Sequence, residues 1–131
     1  YKTYPLFGDG AGAILLTRGS PEQGLVRYTL GADGSGASLL QRKAGGTRLP
    51  LTTDNIDKSL QYLSMDGRAV FTWAVETLCD TVQAVLESAQ IHPGEIDLYI
   101  PHQANIRIIN AALDVIGIPR GLVITNLERY G

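Results

Sequence analysis

The sequence predicts a layered α/β fold with a largely parallel sheet, and three observations predict it. After Gly67 the apolar pattern alternates between three-to-four-residue periodicity and short continuous runs, in the order helix, strand, helix, strand. Two further apolar runs near the start are bounded by glycines and turn residues. Finally, 44% of the 131 residues are hydrophobic, enough for one domain's core or a share of a larger one.

In chain order, AGAILL (11–16) predicts a buried strand and RGSPEQG a turn. GLVRYTL (24–30) predicts a neighbouring strand, joined to the first by a hairpin-like loop. Residues 31–64 are rich in Gly, Ser, Thr and Asp and lack a clear period. They predict a long irregular connection with a short helix near Asp54 to Leu60; a stretch of that length is usually functional or packed against something else. From Arg68 to about Ala89, Val70, Trp73, Ala74, Thr77, Leu78, Val82, Val85 and Ala89 recur at helical steps with Glu76, Asp80, Gln83 and Glu87 between them, which predicts a helix with one buried face. HPGE (92–95) stops it, since proline cannot continue a helix. IDLYI (96–100) predicts a strand, and NIRIINAALDVIG a helix burying Ile109, Ala112, Leu113 and Ile116, with Gly117 as its terminator. LVITNL (122–127) predicts a last strand.

Thirteen acidic and eleven basic residues give a formal charge of -2. Bulk nucleic-acid binding therefore has no electrostatic support, and ligands are expected to be small or protein-borne. A single cysteine, Cys79, excludes an internal disulfide framework and suits a reducing cytoplasm. No apolar run is expected to span a bilayer, and the first residues do not read as a charged-then-apolar leader, which means little in a chain that does not open on a methionine. The opening YKTYPLFGDG lacks a methionine and reads as the inside of a longer protein.

His102 carries the chemistry. It follows the strand 96–100 by two residues and precedes a helix, at the carboxyl edge where α/β sheets bind ligands. Unpaired amides at a helix amino terminus carry partial positive charge and disfavour the imidazolium. The ring is therefore placed as a neutral hydrogen-bond donor to a developing oxyanion. From position alone, a buried histidine that caps the helix or bonds a backbone carbonyl is the alternative. The other candidates read as structure. Cys79 sits mid-helix without a cationic neighbour and reads as a core thiol. His92 has no second ligand at metal-like spacing, so no metal site is expected. FGDGAGA precedes a strand and opens no helix, unlike a dinucleotide loop, so its small residues serve close backbone approach and Asp9 is expected to make a structural hydrogen bond.

Three strings in order, FGDGAGAILL, MDGRAVF and HQANIRI, resemble the β-ketoacyl-acyl carrier protein synthase III family of condensing enzymes, from Phe7 to Gly131. The resemblance implies a partial thiolase-like fold, a layered α/β/α arrangement around a largely buried mixed sheet. Residues 1–64 would hold the end of the amino-terminal half with the long irregular connection, and 65–131 the start of a truncated carboxyl-terminal half. It implies a decarboxylative Claisen condensation that initiates fatty acid synthesis. An acyl group passes from acyl-CoA to a cysteine, malonyl-acyl carrier protein loses carbon dioxide, and the resulting carbanion attacks the acyl-cysteine. Histidine and asparagine hold the enolate-like oxygen, a task in which each fixed donor contributes about 3 kcal/mol.

By the same resemblance, His102 matches the family's histidine. Its cysteine lies before FGDGAGA and its asparagine directly after a glycine like Gly131, so the chain carries one of three catalytic residues and is expected to be inactive alone. Gly67, Arg68, Phe71, Ala104 and Asn105 match positions lining a pantetheine tunnel. A core aromatic is the alternative for Phe71, and some members carry asparagine at the position of Arg68. Arg107 matches a basic position that receives the acidic carrier protein, a plain surface arginine being the alternative. The resemblance further implies a homodimer, no permanently bound cofactor, and CoA and phosphopantetheine thioesters as substrates. Two other classes stay open: another thiolase-like acyltransferase, such as a polyketide or quinolone starter synthase or a hydroxymethylglutaryl-CoA synthase relative, and a catalytically inert polypeptide.

Overall fold

The computed structural model describes Thr3 and residues 6–130. Gly131, where the resemblance ends, lies outside the described residues.

The irregular connection contains a small hairpin that the sequence did not predict. Asp33 caps a 3-10 turn over Gly34–Ser38, its carboxylate accepting the Ser35 N–H. Strands β1 (Leu40–Arg42) and β2 (Leu63–Met65) then pair antiparallel, with Leu40 opposite Met65 and Arg42 opposite Leu63. The expected short helix is a 3-10 turn at Ile56–Lys58. The pairing extends one bond further, from the Asp66 N–H to the Leu39 carbonyl at 2.8 Å. This delivers the chain to the start of α1 (Gly67–Ala89), where the Asp66 carboxylate accepts the N–H groups of Arg68 and Ala69.

Helix α1 ends at Gln90, whose left-handed backbone (φ 57) lets its N–H reach back to the helix carbonyls. The Pro93–Glu95 turn follows, tied by a 2.7 Å bond from the His92 N–H to the Glu95 carboxylate. Val70, Ala74, Leu78, Val82, Val85 and Ala89 are half-buried as the periodicity predicts, but Trp73 and Thr77 are exposed. Val75, Cys79 and Leu86 are half-buried as well, and the Cys79 thiol reaches the Ala112 carbonyl. By length and composition α1 would reach across a bilayer, contrary to the expectation that no run is long enough. Glu76, Asp80 and Glu87 stand exposed along it, which suits water far better than lipid.

Helix α2 (Ile106–Ile116) is capped by Asn105, whose side-chain oxygen accepts the Arg107 N–H at 2.9 Å, and ends at Gly117 with φ 81. Its buried Ile109 and Leu113, with Ile118 beyond the cap, form the core. Val82 of α1, Ile96, Tyr99, Ile116, Val123 and Leu127 pack around them. A short helix, α3 (Leu127–Tyr130), closes the described chain.

The expected strands are the main departure. Of 96–100 and 122–127, only Tyr99 and Val123 form a bridge, in the expected parallel sense. Bonds from the Tyr99 N–H to the Leu122 carbonyl (2.8 Å) and from the Ile124 N–H to the Tyr99 carbonyl (3.0 Å) hold it. The first of these runs is flanked by Pro101, which lacks an N–H, and the second is entered through a 3-10 turn at Arg120–Leu122 and left through α3. Segments 11–16 and 24–30 pair with no strand among the described residues, and Ile14, Leu15 and Leu16 are 88–89% exposed. A strand exists only through a partner's ladder, and neither segment meets one. The turn between them does form: the Gln23 N–H bonds the Ser20 carbonyl at 3.0 Å, and Gly24 leaves with φ 119.

Candidate functional site

The site forms where the two paired segments part. Pro101 is buried and ends the first of them, and four residues later the α2 cap begins. Between lie His102, exposed, and Gln103, half-buried. Gln103 uses its whole side-chain amide: Nε2 donates to the Pro101 carbonyl (2.9 Å) and the Ile124 carbonyl (3.1 Å), and Oε1 accepts the Asn126 N–H (3.0 Å). Asn126 in turn starts α3, its carbonyl accepting the N–H groups of Arg129 and Tyr130.

His102 opens onto a cavity of about 450 Å³ lined by Gly8, Asp9, Gly10, Pro101, Gln103, Asn126 and Tyr130. The alternative of a buried, capping histidine is thereby excluded, since Asn105 fills the cap and His102 faces solvent. The glycine-flanked loop 8–10 has a place the sequence did not reveal. Asp9 makes no hydrogen bond among the described residues, so the structural bond expected of it is absent, and it borders the histidine's cavity instead. Two glycines there leave the wall without side chains, allowing close approach by a ligand.

The remaining predicted residues gather at the amino ends of α1 and α2, outside the His102 cavity. Gly67 is the first residue of α1 and Arg68 follows, both exposed; Arg68 borders a separate shallow depression with Asp66, Thr72 and Trp73. Phe71 is half-buried, and the Arg107 guanidinium lies over its ring, 5.9 Å from the centroid. This cation–π contact joins two residues predicted for different tasks. Ala104 is exposed and Asn105 is occupied as the α2 cap.

Cys79 lies on neither surface. Its Sγ stands 3.9 Å from the Ala112 carbonyl oxygen, and burial, aided by the Asp80 charge, pushes the thiol up from its ordinary range. Burial and the nearby Cys79 also raise the Tyr99 phenol. Neither group is poised as a nucleophile. Among the described residues, no three His, Cys, Asp or Glu side chains converge as a metal site would require.

The sequence reasoning missed Gln103, Asn126, Tyr130 and the 8–10 loop as neighbours of His102. Gln103 sits inside the same string as the histidine, but nothing in a sequence says which carbonyls its amide will meet.

By its match to solved structures, the chain is a portion of a thiolase-like α/β fold. Solved structures carry the same geometry: 3-oxoacyl-(acyl carrier protein) synthase III from Pseudomonas aeruginosa superposes with a TM-score of 0.82 at 34% identity, covering 99% of this chain and 38% of that one. The synthase III from Thermus thermophilus gives 0.71 at 37% identity, over 85% and 33%. Residues 86–131 match the family described as 3-oxoacyl-[acyl-carrier-protein] synthase III, C terminal. Beta-ketoacyl-[acyl-carrier-protein] synthases III from Rhodopirellula baltica and Symbiobacterium thermophilum are 40% and 42% identical over 99% of the chain. The chain belongs to this synthase III family, in its carboxyl-terminal portion, and spans 43% and 39% of the length of those two relatives.

Proposed function

We propose that the protein carrying this chain condenses an acyl-CoA primer with malonyl-acyl carrier protein, the step that initiates fatty acid synthesis. One observation supports this reading above the others. His102 faces an open, glycine-walled cavity just beyond the parallel-paired backbone, within a string that matches the family. A ring N–H there can donate to the malonyl thioester oxygen. When the carboxylate leaves as carbon dioxide, its bonding electrons move to the α-carbon and are shared with that oxygen. A donor fixed before the reaction holds the new charge without reorganisation. The carbanion then attacks the acyl-cysteine carbonyl and expels the thiolate.

On the same reading, Gly67, Arg68, Phe71, Ala104 and Asn105 border the pantetheine path, and Arg107 meets the acidic carrier protein. The Arg107 contact with Phe71 suits this pairing, because it puts the docking charge at the edge of the path. Residues 1–64 belong to the end of the amino-terminal half with its connection, and 65–131 to the start of the carboxyl-terminal half. The enzyme works as a cytoplasmic homodimer and keeps no bound cofactor beyond its thioester substrates.

A second reading has one observation of its own. The priming β-ketosynthase of the R1128 polyketide pathway matches 75% of the chain at 34% identity, with a TM-score of 0.53. Mass spectrometry of carrier protein incubated with the complete polypeptide, malonyl-carrier protein and a panel of acyl-CoA primers separates the two. The fatty acid reading expects a β-ketoacyl product on a fatty acid carrier protein. Product confined to a polyketide carrier protein supports the second reading, and no product with either contradicts both.

A further inference from the structure

We propose that Gln103 is a positioning residue for His102, an inference that rests on the role given to His102 above. Among the described residues, the two paired segments share backbone bonds only through Tyr99, which bonds Leu122 and Ile124 on either side of the Tyr99–Val123 bridge. Beyond that bridge Pro101 cannot donate, and the backbones separate. The Gln103 amide takes over as a side-chain rung. Oε1 accepts from Asn126 on one segment, while Nε2 donates to Ile124 on that segment and to Pro101 on its own. Only this orientation of the amide works, because a flip would turn its oxygen toward two carbonyls and its NH2 group toward an N–H.

The rung fixes two cavity walls against each other. His102 lies between Pro101 and Gln103, both held by the amide, while Asn126 across the cavity is held by the same group. Releasing the amide leaves the histidine on a loop anchored only at Tyr99 and at the α2 cap. A donor displaced by about 1 Å costs about 10²-fold in rate.

The test uses the complete polypeptide and malonyl-acyl carrier protein, comparing the parent with Gln103→Met, Gln103→Glu and His102→Ala. Carbon dioxide release and acylation of the nucleophile are measured separately. Gln103→Met keeps the length of the side chain and removes all three bonds. It is expected to lower kcat for decarboxylation by about 10²-fold, with KM and acylation nearly unchanged. Gln103→Glu faces two carbonyls with a carboxylate at neutral pH and regains one donor on protonation. Its activity relative to the parent is expected to rise as the pH falls, while the ratio for Gln103→Met stays flat. A Gln103→Met protein that decarboxylates like the parent, or loses acylation and decarboxylation alike, overturns the positioning role. So does a flat Gln103→Glu ratio. Undiminished decarboxylation by His102→Ala removes the role of His102 itself, and that of Gln103 with it.

Discussion

Cys79 shows how one residue's surroundings settle its chemistry. A lone cysteine in a family that uses a cysteine nucleophile invites that assignment, yet burial and Asp80 both favour the neutral thiol. Iodoacetamide is expected to alkylate Cys79 more slowly in the folded protein than in urea; equal rates would contradict a raised thiol. The same shift bears on stability. Folding raises both Cys79 and Tyr99, so the fold favours their protonated forms. That contribution is fully present below their ordinary values and is lost as the pH climbs through the raised ones. Stability is therefore expected to fall in the alkaline range, and Cys79→Ala to fall less steeply there in urea titrations against pH. His102 was legible in the sequence because its place between an apolar run and a helix start is a local property. Its neighbours were not. Asp9 reaches the cavity through chain folding over most of the molecule's length, which no local pattern encodes.

At the scale of elements, both long helices were legible and the strands were not. A helix closes its own hydrogen bonds, so its periodicity and its caps suffice to announce it. Asn105 and Gly117 bracket α2 as the sequence indicates. Asn105→Ala removes the bond to the Arg107 N–H and is expected to cost about 1 kcal/mol in urea unfolding, with Asn105→Asp retaining most of it. Gly117→Ala meets no atom within 4 Å, so its penalty is conformational alone, about 1 kcal/mol for a φ of 81. Either substitution proving neutral would mean that tertiary packing, not the cap, sets the ends of α2. Strands close their bonds on other strands, and the apolar runs 11–16 and 24–30 state a need for partners without supplying them. The β1/β2 hairpin was hidden for the opposite reason. LQR and LSM are three residues each, too short for alternation to stand out from a Gly- and Ser-rich surrounding.

At the scale of the whole molecule, the core is small for the apolar content. Only Ala44, Ile109, Ala112, Leu113 and Ile118 are buried hydrophobics among the described residues, while Ile14, Leu15, Leu16 and Leu30 are 88–89% exposed. Surfaces of this kind bind other protein surfaces or themselves. The 131-residue chain expressed by itself is expected to self-associate and to enhance the fluorescence of a hydrophobic dye, with Leu15→Lys reducing both; a monodisperse, dye-silent chain would contradict the exposure. The proposed chemistry turns on one atom pair, the His102 ring and the thioester oxygen it would serve. The direct test is carbon dioxide release from malonyl-acyl carrier protein by His102→Ala in the complete polypeptide, alongside transfer of an acyl group from acyl-CoA to the nucleophile. Removal of the donor is expected to lower decarboxylation by 10²-fold or more, about the loss of one oxyanion donor, and to leave acylation largely intact. Equal loss of both steps, or of neither, would contradict the role assigned to His102.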